Sequence, residues 1–342
     1  MATSLKRNSG IELLRILAMF MVMFTHANFL SGTISLPDFS GNELNISYLF
    51  YACIVLLLQS ITTPAVDVFV LISGYFGIRY SGRKLASLLF TVFFFLAVTF
   101  ACKQFYMGGA DLWSDLPKLL FWGSSYWFVY AYILLFVLSP FIEAGIKVLT
   151  ERAFRLFLIL FFAMVFVYGW VYPAPGLGFE QGHTTISFIG LYLLGRYVRL
   201  HPAKKASHDV LAYVSVIVST TLMSFIALRY GQIEIVWRLQ SYCAPLIVME
   251  AVLLLRIFSN LDFCNKGVNL LAISSFSVYL LHGSFFTVAE LYVAPLRCFH
   301  EQHANAFYWI FVLLFAILWY FMAFLLDRGR IYLWNKIENK IT

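Results

Sequence analysis

Arg15 and His26 stand eleven positions apart inside an otherwise apolar run from Ile11 to Leu30, and Glu12 lies just ahead of Arg15. An imidazole titrates near neutrality and suits proton transfer. A guanidinium is a permanent cation whose planar fork suits phosphate or carboxylate. On a helix of 3.6 residues per turn, eleven positions make almost three whole turns, so both side chains project from one face roughly 16 Å apart. Glu12 sits one turn before Arg15 and can pair with it. The run is about the 20 residues that a helix needs to cross a bilayer core. An arginine in lipid costs at least ~2.5 kcal/mol, so Glu12 and Arg15 are expected to face protein, water or a ligand.

The rest of the composition sets this stretch among many like it. The 342 residues are 61% hydrophobic and 12% charged, with mean hydropathy +0.82. Soluble domains carry roughly 25% charged residues, so the chain reads as an all-α, polytopic membrane protein. No stretch is polar enough to form a soluble domain, and residues 1–342 are expected to make one integral membrane domain with nothing appended. The first apolar run is too long for a removable signal peptide and lacks a small-residue cleavage site. Cys53, Cys102, Cys243, Cys264 and Cys298 form no C-x-x-C pair and have no histidine at ligand spacing, which argues against a metal site or a disulfide framework. The formal charge of +7 does not gather with aromatic residues on one face, so nucleic acid is not expected as a partner.

Instead the cations mark orientation. Lys6 and Arg7 precede the first span, whereas Ser31 to Ser47 holds Asp38 and Glu43 and no lysine or arginine; the N-terminus is therefore expected in the cytoplasm. Thr62-Thr63-Pro64 interrupts the next apolar stretch, giving an outer or re-entrant helix and then a second span from Val66 to Ile78. Arg79, Arg83 and Lys84 follow in a short cytoplasmic loop. Further spans are expected at about Leu85 to Phe105, Ser124 to Ile142, a fifth ending near Tyr172, a sixth through Leu191 to Arg196, Val210 to Leu228, Tyr242 to Phe258, Leu270 to Leu291 and Phe307 to Leu326. A basic tail runs from Asp327 to Thr342. On this layout 18 lysines and arginines fall inside and 5 outside, with Arg15 in the membrane. That asymmetry supports about ten transmembrane helices with both termini cytoplasmic.

Four motifs recur in order along the chain. They are Arg15 and His26 with ten residues between them, Val66-Asp67-Val-Phe-Val-Leu-Ile-Ser73-Gly74-Tyr75, Tyr126-Trp127-Phe128-Val-Tyr-Ala-Tyr, and Ser277-Val-Tyr279-Leu-Leu-His282. Together they resemble the acyltransferase-3 family of integral membrane acyltransferases. The resemblance implies transfer of an acyl group, most often acetyl, from acetyl-CoA or another acyl-CoA to a hydroxyl of a cell-surface or lipid-linked glycan. It also implies a multi-pass protein of the bacterial inner membrane, surrounded by lipid, that uses no metal. Larger members add an extracytoplasmic esterase-like domain; this chain would complete the transfer itself or hand the acyl group to a separate accepting protein.

By that resemblance His26 is the catalytic histidine, as general base or as a transient acyl carrier, and Arg15 binds or positions the donor. Asp67 is expected at a depth similar to His26, where a carboxylate can orient an imidazole; the alternative is a helix cap after Pro64. Arg79, Arg83 and Lys84 stand where the phosphates of a nucleotide would arrive, although basic residues there also serve topology. His282 is a candidate for acceptor binding or proton transfer. Tyr126 and Trp127 suit stacking on a sugar or an interfacial position. Glu12 supports Arg15, or the two merely fix helix packing. Ser73-Gly74 suits a close helix approach. The rival functional class is a transporter or flippase for a lipid-linked saccharide, with Arg15 and His26 lining its pathway.

Overall fold

The computed structural model describes residues 8–30, 46–106, 108, 126–172, 178–202, 208–284, 287–302 and 306–341, and every regular element among them is helical. In chain order these are α1 (Ser9–Thr25) continued by a π-helix, π1 (His26–Leu30), then α2 (Ile46–Thr62), α3 (Ala65–Phe76), α4 (Gly82–Tyr106), α5 (Trp127–Val148) and α6 (Glu151–Val165) continued by π2 (Phe166–Val171). They are followed by α7 (Thr185–Leu200), α8 (Asp209–Arg229), α9 (Ile233–Leu239), α10 (Pro245–Ser259), α11 (Lys266–Ile273), α12 (Ser275–His282), π3 (Thr287–Val293), α13 (Ala294–Gln302) and α14 (Ala306–Ile341). Most of the two expected outer linkers, Ser31 to Ser47 and Met107 to Pro117, lies outside the described residues.

Among the described residues, seven helices are long and apolar enough to cross a membrane: Ser9–Phe29, Leu49–Phe76, Gly82–Tyr106, Trp127–Val148, Glu151–Val171, Asp209–Arg229 and Phe307–Lys340. The expected sixth and eighth spans are helices of only 16 and 15 residues, α7 and α10. Their starts are set locally. Thr184 accepts from Ser187 N as the N-cap of α7, and extended Ala244 followed by Pro245 opens α10, a position where proline loses no hydrogen bond. The expected ninth span is not one helix. It divides at Ser274 into α11 and α12, of eight residues each, and resumes as π3. The expected basic tail after Asp327 is instead the second half of α14, which runs for 36 residues.

The chain packs as two compact units. One comprises residues 1–22, 34–79 and 128–269; the other comprises 23–33, 80–127 and 270–342. In the first, α3 and α7 are the most extensively packed pair. Glycine makes that crossing: a Cβ on Gly74 would run into the carbonyl of Tyr192, and one on Gly195 into the carbonyl of Leu71. Small residues at a helix crossing let backbones approach where no hydrophobic driving force separates lipid from protein. The same unit buries Ala52, Leu56, Ala227, Leu228 and Val236 between α2, α8 and α9. Beside them Gln240 donates to Ser60 at 3.0 Å and to Ser224 at 3.2 Å, so buried polar atoms find partners, as they must away from water.

In the second unit α12 packs against α14 and α4. Asp327, fully buried, accepts from Ser277 at 2.8 Å, Ser274 at 2.7 Å and Arg330 Nη2 at 2.7 Å, with Arg328 at 3.2 Å. A buried carboxylate needs such neutralisation. Of its partners, Ser274 is the residue of the α11–α12 break and Ser277 lies in the first turn of α12, and this ties the break to α14.

Candidate active site

His26 is the first residue after the α-helical part of the opening helix, at the change to π bonding. π segments are rare and recur at functional sites. In the same unit His282 ends α12, and the two rings stand 5.0 Å apart between centroids, tilted by 47°. The Nδ1 of His282 lies 2.7 Å from the carbonyl oxygen of Val278. A carbonyl only accepts, so Nδ1 carries the proton and Nε2 presents a lone pair. That Nε2 is buried and has no hydrogen-bond partner among the described residues, and the same holds for Nδ1 of His26. His282 is wholly buried, whereas His26 is half-buried. Two neighbouring imidazoles thus each keep an uncommitted, buried nitrogen.

Aromatic rings complete this wall. Tyr292 on π3 stands 5.5 Å from the ring of His282, and Tyr279 meets it edge-on at 6.3 Å. Tyr126 is 1% exposed, and its hydroxyl donates to the carbonyl of Leu280 at 2.8 Å. This places Tyr126 in the core as a support for α12 and not on an accessible stacking face. Trp127 is half-buried at the start of α5.

The first unit holds a cavity of about 750 Å³. Asn8, just before α1, and Glu12 and Arg15 of α1 line it with Tyr75 and Phe76 of α3, Gly77, Ile78 and Arg79 after it, Glu143 of α5, and Arg196 and Arg199 of α7. Gly77 takes φ +73°, a left-handed conformation that closes α3. The expected ion pair exists: Arg15 Nη1 lies 2.8 Å from Glu12 Oε2. Arg196 Nε lies 3.1 Å from Glu143 Oε1, which also accepts the Tyr192 hydroxyl at 2.6 Å. Arg199 donates to the Tyr75 hydroxyl at 3.0 Å and lies 5.0 Å over that ring. Among the described lining residues, four guanidinium groups face two carboxylates. The excess of positive charge in a space of cofactor size fits a polyanion.

Of the expected donor residues, Arg15 and Arg79 line this cavity. Arg83 instead pairs with Glu338 at 3.0 Å in the other unit and is 60% exposed along its side chain. Lys84 is exposed in the first turn of α4. Arg196 and Arg199 were missed as ligand-binding candidates, since at the end of an apolar run they read as topology markers. Their spacing of three residues, one helical turn, was the available signal.

Asp67 is 1% exposed in the first turn of α3, and neither carboxylate oxygen has a hydrogen-bond partner among the described residues. The helix-cap alternative has no support, because α3 shows no side-chain cap hydrogen bond. Ser73 donates to the carbonyl of Phe69 at 3.0 Å and meets the Tyr132 hydroxyl at 3.2 Å. No group of three or more histidines, cysteines or carboxylates suited to a metal occurs among the described residues.

Comparison with protein-family models finds one match, an acyltransferase domain, over residues 8–328. The chain belongs to the acyltransferase-3 family. The match takes in the residues of both the histidine pair and the arginine-lined cavity. Together with the apolar helices it marks the chain as a multi-pass membrane acyltransferase. Comparisons with curated proteins and with solved structures gave no match.

Proposed function

We propose that this acyltransferase moves an acyl group, acetyl foremost, from acyl-CoA to a hydroxyl of a surface or lipid-linked glycan in the bacterial inner membrane. The observation that carries the reading is the approach of His26 and His282, whose rings stand 5.0 Å apart between centroids and each keep a buried nitrogen without a hydrogen-bond partner among the described residues. A hydroxyl is too weakly acidic to attack a thioester unaided. His26 takes its proton as the oxygen bonds to the carbonyl carbon. The carbon–sulfur bond then breaks, and the same proton passes to the departing thiolate. His282, held in one tautomer, receives or returns that proton across the short gap between the rings.

The cavity supports the donor half of the reading. Arg15, Arg79, Arg196 and Arg199 are assigned the phosphates of CoA, which would enter from the cytoplasm. Arg83 and Lys84, exposed in the first turn of α4, are assigned the electrostatic steering of that anion. Asp67 is retained as the carboxylate of the reaction because two buried oxygens without a hydrogen-bond partner among the described residues favour a substrate contact. Trp127 is assigned the acceptor side.

The test uses purified protein in detergent with labelled acetyl-CoA and an extract of lipid-linked glycan from membranes. Label is expected to pass to the glycan, and His26→Ala is expected to abolish transfer while the protein remains monodisperse. Transfer at the unsubstituted rate by His26→Ala would overturn the assignment. An inert protein that moves the saccharide across liposomes would favour transport.

A further inference from the structure

The bonding pattern of the opening helix changes at His26, and the change is held in place by side chains from elsewhere in the same unit. A π turn alters which amide each carbonyl meets, and side chains or water at such a point commonly engage the carbonyls. Here the carbonyl of Met23 accepts the Tyr292 hydroxyl at 3.1 Å, and the carbonyl of Phe24 accepts Asn28 Nδ2 at 2.9 Å. Asn28 is fixed in turn, since its Oδ1 accepts the Tyr308 hydroxyl at 2.7 Å. Asn28, Tyr292 and Tyr308 are all buried. Water does not compete for these bonds, and a broken one leaves a polar group stranded.

Tyr292 has a second contact. π3, which carries it, packs on π1, and its ring stands 5.5 Å from that of His282. One side chain therefore grips the backbone three residues before His26 and touches the partner imidazole. Next to Tyr308, Trp309 stacks on Phe24 at 5.8 Å and 13°, closing the other side of the turn.

We propose that Tyr292 and Tyr308 are positioning residues of acyl transfer, which lock the π turn and thereby set the angle at which His26 meets His282 and the substrate. The proposal rests on the reading of His26 as the reacting histidine. It adds to that reading a cause for the geometry, because a reacting group displaced by ~1 Å loses on the order of a hundredfold in rate.

Tyr292→Phe and Tyr308→Phe each remove one hydroxyl and keep the ring. Each is expected to lower kcat ~10- to 100-fold while the KM for acetyl-CoA stays within about twofold, with the glycan extract as acceptor. In protein carrying carbon-13 histidine, the ring signal of His26, assigned by its loss in His26→Gln, is expected to move in both variants. An unchanged kcat in both variants overturns the proposal, as does a lowered kcat with an unmoved His26 signal. Should Tyr292→Phe not fold, Tyr308→Phe carries the test alone. If neither folds, the two tyrosines serve stability and the proposal fails. Undiminished transfer by His26→Ala would instead remove the underlying reading, an outcome distinct from all of these.

Discussion

The Nδ1–H of His282 is donated to the carbonyl of Val278, 2.7 Å away and one turn back on the same helix, and so its buried Nε2 keeps a lone pair, in a ring whose centroid stands 5.0 Å from that of His26. Backbone geometry thus fixes a tautomer that no neighbouring carboxylate is needed to set. The same bond makes the nitrogen available for proton transfer predictable.

His282→Gln keeps a polar side chain but removes the titratable ring. Its kcat is expected to fall by ~10²- to 10⁴-fold, the usual contribution of general acid–base catalysis. Binding of CoA, measured by calorimetry in detergent, should be unchanged, because His282 is not among the residues that line the arginine cavity. Turnover near that of the unsubstituted protein would show the pair to be structural.

Arg199→Gln removes a guanidinium that bonds to Tyr75 and lies over its ring. A charge-assisted hydrogen bond contributes ~1.5–3 kcal/mol, so the donor KM is expected to rise ~10-fold or more. At saturating acetyl-CoA kcat should change little, since the interaction is made equally in ground and transition states. The KM of the unsubstituted protein should itself rise with added salt. A donor KM indifferent to Arg199 would place the nucleotide elsewhere.

Gly195→Ala is expected to lower the melting temperature in detergent, because the added methyl would meet the Leu71 carbonyl where α7 crosses α3. Overpacking of this kind costs ~1–3 kcal/mol. Gly145→Ala provides the contrast: a Cβ there meets nothing within 4 Å, and alanine in the interior of α5 should be neutral or slightly stabilising. Equal melting temperatures for the two variants would contradict the glycine-mediated crossing.

Asp327→Ala strips the buried carboxylate from Ser274, Ser277 and Arg330. Leaving a buried cation unpaired costs ~3–5 kcal/mol, so the variant should melt earlier and yield less protein. Ser277→Ala removes one neutral partner and is expected to cost ~1 kcal/mol. If both variants melt together with the parent, the cluster does not hold α14 to the α11–α12 break.

The sequence alone determined the helical membrane class, the ends of several long spans, the glycine that α3 brings to a crossing, and the helix that carries Arg15 and His26. Hydropathy and helical period are sums over neighbouring residues, and the transfer of each side chain from water to lipid is legible without knowing its distant partners. The family was legible too, because four short motifs kept their order along the chain. Tertiary structure decided the rest: that Ser274 divides the expected ninth span, that His282 meets His26, that Arg196 and Arg199 converge on the cavity of Arg15, and that Asp327 is buried instead of opening a polar tail. Each of these depends on which faces of sequence-distant helices pack together. The change to π bonding at His26 has the same origin, for it is held by hydroxyls of Tyr292 and Tyr308 that no pattern within the opening helix encodes.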